Sequence, residues 1–261
     1  MFELIFQQEP VIDKQGIYCF SPTDTGDYFD EADVTSWRNG SLEKNWHNTT
    51  FLRNPSSRYL IEQLIEHHPY VIDLACGPGM GLIPSVKQLA PNFSCLATDA
   101  NPLVLQEWAR YLKSNSIDCP PMLAQFSAQQ LPFLNNSVEA FSSFIGLSST
   151  RQGNVGYEQA ISELHRTLKD GGCFYTIENE WNNIPTILDL FKKLNREPWY
   201  CFLEPQVSWH DRFINNGFEI LYEAPYLFRQ LSENDNELGE AASRFGVNIG
   251  LQFTAFIVRK K

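Results

Sequence analysis

Residues 71–81, Val71-Ile72-Asp73-Leu74-Ala75-Cys76-Gly77-Pro78-Gly79-Met80-Gly81, run from an apolar stretch with one embedded carboxylate straight into a glycine-rich turn. The run reads as a buried strand, a tight turn and the start of a helix. Glycine accepts the dihedrals such a turn needs and leaves no Cβ between main chain and ligand, so backbone N–H groups lie open to a flat, polar or charged molecule. Ala75 stands at the first position of the turn, where it costs little if its φ is negative.

The flanking sequence repeats the alternation. Asn54-Pro55 is a helix start, with Asn as cap and Pro at the first position; Leu60, Ile61, Leu64 and Ile65 form its apolar face before a strand over 70–74. Leu82, Ile83, Val86 and Leu89 continue a helix after the turn, and residues 93–98 read as a second strand. Asn101 caps a helix through Leu112. Further strands are expected over 122–126, 138–145, 173–178, 218–223 and 251–259, with helices over 157–168 and 209–216. Gly171-Gly172 is read as the end of the first of these helices. Alternation of this kind argues for one α/β domain with a mostly parallel sheet and helices on both faces, over residues 55–261. Residues 1–54 are read as a cap or lid, and the segments near 179–207 and 225–248 as insertions.

Composition narrows the function. The chain has 261 residues, 43% of them hydrophobic, which is ample for a sizeable core. A formal net charge of -11 argues against nucleic acid, whose affinity comes from Lys and Arg displacing counterions, and favours a small-molecule partner. Six cysteines are scattered with no C-x-x-C pair and no histidine cluster at ligand spacing, so no metal is expected and free thiols in a reducing compartment are. Cys76 lies where the turn needs a small residue and is not read as a nucleophile. Neither a signal peptide nor a membrane span is evident, so a cytoplasmic protein is expected.

Counting along the turn separates two cofactor classes. A dinucleotide fingerprint requires its third glycine three positions after the second, where this chain has Leu82, so a nicotinamide oxidoreductase is disfavoured. Asp99 closes the second strand on the same sheet edge as the turn, where a carboxylate can accept both hydroxyls of a ribose. Asp73, Ala75, Gly77 and Gly79 together resemble the first motif of class I S-adenosylmethionine-dependent methyltransferases. Ser127-Ala128-Gln129-Gln130-Leu131-Pro132-Phe133 is similar to a second stretch of that family, with Ser127 in place of the usual acidic residue and Val138-Glu139 in place of Phe-Asp. Glu163-Leu164-His165-Arg166-Thr167-Leu168-Lys169-Asp170-Gly171-Gly172 resembles the helix and turn before its fifth strand. Three motifs in order identify the chain as similar to the small-molecule branch that includes ubiquinone and menaquinone methyltransferases.

The resemblance implies a Rossmann-like seven-stranded sheet with an antiparallel last strand, binding S-adenosyl-L-methionine across its carboxyl edge. It implies Asp73 near the methionine ammonium, directly or through water, and close backbone approach at Gly77 and Gly79. Asp99 and Ala100 would meet the ribose side, Ser127 and Ala128 the adenine, and Phe144 the methionine side. The reaction implied is methyl transfer to a small-molecule acceptor; a binding module without turnover is the alternative. No general base stands out. His47 and His210, in segments able to cover a pocket, are weak candidates, while His67 and His68 read as surface residues and His165 as packed behind the sheet. Glu178, Asn179 and Glu180 are candidates for acceptor contact. Tyr18, Tyr28, Phe29, Trp37, Trp46, Trp181, Trp199, Tyr200 and Trp209 suit either a lid over a planar substrate or the core of a small cap. Residues 233–237 read as a solvated acidic loop.

Overall fold

The computed structural model describes residues 5–20, 29–150 and 153–261, so Tyr28 lies outside the described residues. The central sheet has the strand order β1-β2-β5-β4-β3-β6-β7-β9-β8. Its seven-stranded body comprises β3 (Tyr70–Leu74), β4 (Ser94–Asp99), β5 (Met122–Gln125), β6 (Val138–Phe144), β7 (Leu168–Trp181), β8 (Phe218–Gln230) and β9 (Gly250–Lys260). β3 to β7 pair in parallel, and β9 runs antiparallel to both β7 and β8. Two short strands, β1 (Val11–Ile12) and β2 (Tyr18–Cys19), extend the sheet beyond β5, which makes nine strands where the sequence suggested seven. Residues 5–20 thus lengthen the sheet rather than cover it. Phe6 bridges to Phe133, and its ring lies 4.7 Å from that of Phe20.

Helices flank both faces, as a buried parallel sheet requires. Before β3 come α1 (Glu31–Ser36), a π-turn (Trp37–Ser41), α2 (Leu42–Trp46), α3 (Thr50–Arg53) and α4 (Pro55–His67). Asn54 caps α4 by accepting from Ser56 N–H, with Pro55 at the first position. α5 (Ile83–Leu89) and α6 (Pro102–Ser114) join the strands of one half, and α7 (Gly153–Thr167) precedes β7. The apolar faces of α4, α5 and α6 pack with Trp37, Leu42 and Trp46 into one core cluster. A second cluster, on the other face, holds Phe141, Phe174, Leu164 and Phe213, the last from α10 (Trp209–Asn215). A third, smaller core joins α8 (Ile184–Lys193), α9 (Tyr200–Leu203) and α11 (Glu237–Phe245) around Phe191 and Phe202.

Several element ends differ from the sequence reading. α7 stops at Thr167, and Gly171-Gly172 lie inside β7, at the register jump between the pairs Val138↔Leu168 and Ala140↔Cys173. The glycines therefore serve a bulge rather than a helix end, because a Cβ at Gly172 would come within 2.9 Å of Lys169 O and 3.1 Å of Glu139 O. β7 continues to Trp181 and β8 to Gln230, since the long pairing with β9 carries both past their apolar cores. Asp235, Asn236 and Glu237 are not merely solvated: Asp235 pairs with Arg229, Asn236 caps α11, and Glu237 pairs with Arg196. His68 is half-buried rather than superficial, 2.9 Å from the Tyr175 hydroxyl.

Candidate active site

The strand order reverses direction around β3. The chain steps outward through β4 and β5, then returns to β6 on the opposite side of β3. At such a switch the loops leaving neighbouring strands part and open a crevice outside the carboxyl ends. The turn after β3, the end of β4 and the end of β6 meet there.

Within the turn the main chain takes left-handed dihedrals at four positions. Ala75, Gly77, Met80 and Gly81 all have positive φ, at +49°, +57°, +54° and +53°. The condition under which Ala75 would cost little, a negative φ, is not met: the chain reverses sharply as it leaves the strand, and Cys76 N–H donates to Thr98 O at 2.8 Å to fix that reversal. A Cβ added at Gly79 would meet nothing within 4 Å, and one at Gly77 only Ala75 O at 4.0 Å. That open glycine face is a cradle of the kind a nucleoside cofactor needs. Gly81 has a different task, because a Cβ there would stand 1.8 Å from Asp73 Oδ1. The turn wraps around the carboxylate.

Asp73 is fully buried in the middle of the sheet. Its Oδ2 accepts from Leu82 N–H at 3.2 Å and from the Ser142 hydroxyl at 2.5 Å, while Oδ1 has no hydrogen-bond partner. Burial pushes its carboxyl up to about 7, against the lowering effect of those two donors. Asp99 caps the same turn from β4. Its Oδ2 accepts from Gly77 N–H at 2.9 Å and its Oδ1 from Asn101 N–H at 2.8 Å. Burial raises its pKa too. Ala100 N–H is a third backbone donor to this carboxylate, which leaves it one further lone-pair site to accept a ribose hydroxyl. Ala100 and Phe126 follow at the same edge, with Phe126 N–H donating to Asp99 O at 3.2 Å.

The second motif forms the far wall. Ser127 Oγ accepts from Gln129 N–H at 3.2 Å, and Gln130 N–H closes back on Ser127 O at 3.0 Å, so Ser127-Ala128 is a defined turn beside Asp99. Leu131 and Phe133 are buried anchors. Arg166 of α7 donates to the carbonyls of Leu131 and Phe133, both at 2.8 Å, and Glu163 accepts from Leu131 N–H at 2.8 Å. The third motif therefore holds the second in place. Phe144 ends β6 beside the turn, half-buried, its ring 4.7 Å from Phe51.

The remaining candidates lie elsewhere or are engaged. His47 lines a groove with Trp46, Pro84, Lys87, Pro91, Ile117 and Asp118, beside α5 and the loops that lead into β4 and β5. His210 is exposed and pairs with Glu223 at 2.7 Å on the outer face of α10 and β8, and that partner raises its pKa. Glu178 is fully buried and accepts from Leu147 N–H, Ser148 N–H, the Ser148 hydroxyl and the Thr176 hydroxyl. Glu180 accepts from Trp209 N–H, and Asn179 O accepts from the Trp209 indole at 2.9 Å. These acids tie the loop after β6 and the start of α10 to β7. Trp181 and Trp199 belong to the third core, in ring contact with Phe202.

Other groups at the turn carried no distinct sequence signal. The Trp108 indole of α6 donates to Gly77 O at 3.1 Å and the Asn45 amide of α2 to Pro78 O at 3.0 Å. Trp108 shows in the sequence only as one apolar position of a helix. Arg38 makes a forked pair with Glu107 of α6, which also holds Arg110, so the segment before β3 is pinned over the turn.

Residues 71–172 match a family model described as a methyltransferase domain. The demethylmenaquinone methyltransferase of Lactobacillus johnsonii is 25% identical over 118 residues, 45% of this chain and 47% of that protein. The chain is thus matched over about half the length of such curated relatives. Among solved structures, MccD protein superposes with a TM-score of 0.55 at 19% identity, covering 80% of this chain and 99% of that one. The [4+2]-cyclase SpnF gives 0.53 at 15% identity, covering 87% and 93%. Residues 71–172 thus resemble a methyltransferase domain, and the strand order places that stretch in a mostly parallel α/β sheet.

Proposed function

We propose that this chain is an S-adenosylmethionine-dependent methyltransferase acting on a small-molecule acceptor. The observation that carries the reading is the clasp at the switch point, where Asp99 holds Gly77 N–H beside the open face of Gly77 and Gly79. Bound there, the cofactor supplies an electrophilic methyl group. Gly77 and Gly79 offer backbone contact, Asp99 with Ala100 receives a ribose hydroxyl, and Ser127 with Ala128 borders the adenine. Asp73 acts through the turn it organises, its Oδ1 buried against Gly81, and Ala75 and Phe144 flank the methionine end.

The acceptor brings its own nucleophile, because His47 lines a groove of its own beside α5, His210 is paired with Glu223, and Glu178 and Glu180 are bound up with backbone donors. The unit of α8, α9 and α11, with its own small core, acts as the cap, and residues 29–53 pack into the main core and brace the turn. The likeness to a quinone methyltransferase and the net charge of -11 support a small molecule over nucleic acid. Six free cysteines support a reducing, cytoplasmic setting.

Calorimetry with S-adenosylmethionine, its demethylated product and NAD tests the reading, followed by methyl transfer from labelled cofactor across phenol, amine and thiol acceptors. Binding of NAD but not of S-adenosylmethionine would overturn it, and tight binding without turnover would favour a binding module. Asp99→Ala is expected to weaken cofactor binding about tenfold or more, the scale of a hydrogen bond to a charged group. Unchanged affinity would remove Asp99 from the ribose.

A further inference from the structure

We propose that Phe51, Phe144 and Tyr226 form the acceptor subsite, a wall shaped for an uncharged flat ring bearing one polar substituent. The inference rests on the cofactor reading above. The three rings come from α3, the end of β6 and the far part of β8, distant in sequence and joined only by the fold. Phe51 meets Phe144 edge-on at 4.7 Å and lies nearly parallel to Tyr226 at 5.9 Å, while Phe144 and Tyr226 are 6.4 Å apart. All three are half-buried at the rim of the core cluster, whereas Leu60, Ile61 and Leu64 of α4, in the same cluster, are fully buried.

Position links this rim to the methyl group. Phe144 ends the strand next to β3, beside the glycine turn. β8 runs parallel to β7, since both pair antiparallel with β9, so Tyr226 lies toward the same carboxyl edge. The wall is also held rigidly. The Asn54 amide donates to Tyr226 O at 2.8 Å and the Ser56 hydroxyl to Pro225 O at 2.9 Å, while Asn54 Oδ1 caps α4. One asparagine thereby fixes the strand that carries Tyr226 to the helix that follows Phe51.

Charge selects the occupant. A cage for an amine works best with a carboxylate close by, but Asp73, Asp99 and Glu178 at this edge all receive backbone donors instead. Burial alone raises the Tyr226 hydroxyl, with no charged group contributing. That hydroxyl has no hydrogen-bond partner among the described residues. Rings that meet edge-on and in parallel offer a further ring both kinds of contact, and the hydroxyl supplies a single polar handle.

The full chain is first titrated with S-adenosylhomocysteine, then, saturated with it, with 2-naphthol and separately with tetramethylammonium. The expected result is 2-naphthol binding that weakens about fivefold or more in Tyr226→Leu and in Phe51→Leu, in line with the value of an aromatic contact, with S-adenosylhomocysteine affinity unchanged. Tyr226→Phe should lose affinity for 2-naphthol but not for naphthalene. No 2-naphthol binding to the saturated protein, equal binding in both leucine variants, or a preference for tetramethylammonium would each overturn the subsite. Failure to bind S-adenosylhomocysteine at all would instead bring down the cofactor reading on which it rests.

Discussion

Ala75 holds a φ of +49° at the mouth of the glycine turn, a conformation that costs a residue with a Cβ about 1–2 kcal/mol. Glycine would remove that strain while adding about 0.5–1 kcal/mol of backbone entropy to the unfolded chain. Ala75→Gly is therefore expected to stabilise the protein by about 0.5–1 kcal/mol, seen as a higher denaturant midpoint with an unchanged slope; a lower midpoint would mean that the alanine methyl packs usefully. Asp73 gives a pH signature. Its carboxyl titrates near 3.8 when unfolded and at about 7 when folded, so between those values the folded state binds more protons than the unfolded one. Stability from this group accordingly declines as pH rises from about 4 to about 7 and is flat above. Asp73→Asn should remove that slope, and the difference between wild-type and variant stability across the window is the measurement. Parallel pH profiles for the two proteins would place the carboxyl in a more polar setting than its burial implies.

The elements around the site are joined by buried acceptors more than by exposed pairs. Glu178 of β7 collects two N–H groups and two hydroxyls from its own strand and from the loop after β6. Glu178→Ala leaves those donors buried and unpaired at about 1–3 kcal/mol each, so a loss of about 3 kcal/mol or more is expected in thermal or chemical melts. Glu178→Gln should cost less, since its carbonyl still accepts. A small loss for the alanine variant would indicate that water reaches the loop. The helix and strand cores of this region were legible in the sequence, because β3, β4 and α4 carry apolar periodicity bounded by Asn, Pro and Gly. The bulge at Gly171-Gly172 was not, since a glycine pair after a helix satisfies both a helix end and a strand bulge, and only the pairing of β6 with β7 chooses between them.

On the scale of the whole molecule, the residues before α4 belong to the main core. Ile17, Phe20, Trp37, Leu42 and Trp46 are buried in the two clusters that sandwich the sheet. Burying such side chains contributes about 1.5–3 kcal/mol each, so the five together amount to ~10 kcal/mol, comparable with the net stability of a domain. A chain beginning at Asn54 is expected to lose cooperative melting by circular dichroism, and a truncated chain that melts cooperatively would show the segment to be an accessory cap. The sequence alone determined the α/β alternation, the strand-turn-helix at Asp73 to Gly81, the acidic end of the second strand and the order of the three motifs, because each is written in contiguous residues through periodicity, glycine and caps. Tertiary structure decided what those residues touch: that Asp99 clasps Gly77, that Arg166 and Glu163 hold the Leu131-Pro132-Phe133 segment, that Glu178 is sealed, and that Phe51, Phe144 and Tyr226 converge. Those contacts reach from 22 positions, between Gly77 and Asp99, to 175, between Phe51 and Tyr226, and no local pattern encodes a partner so far along the chain.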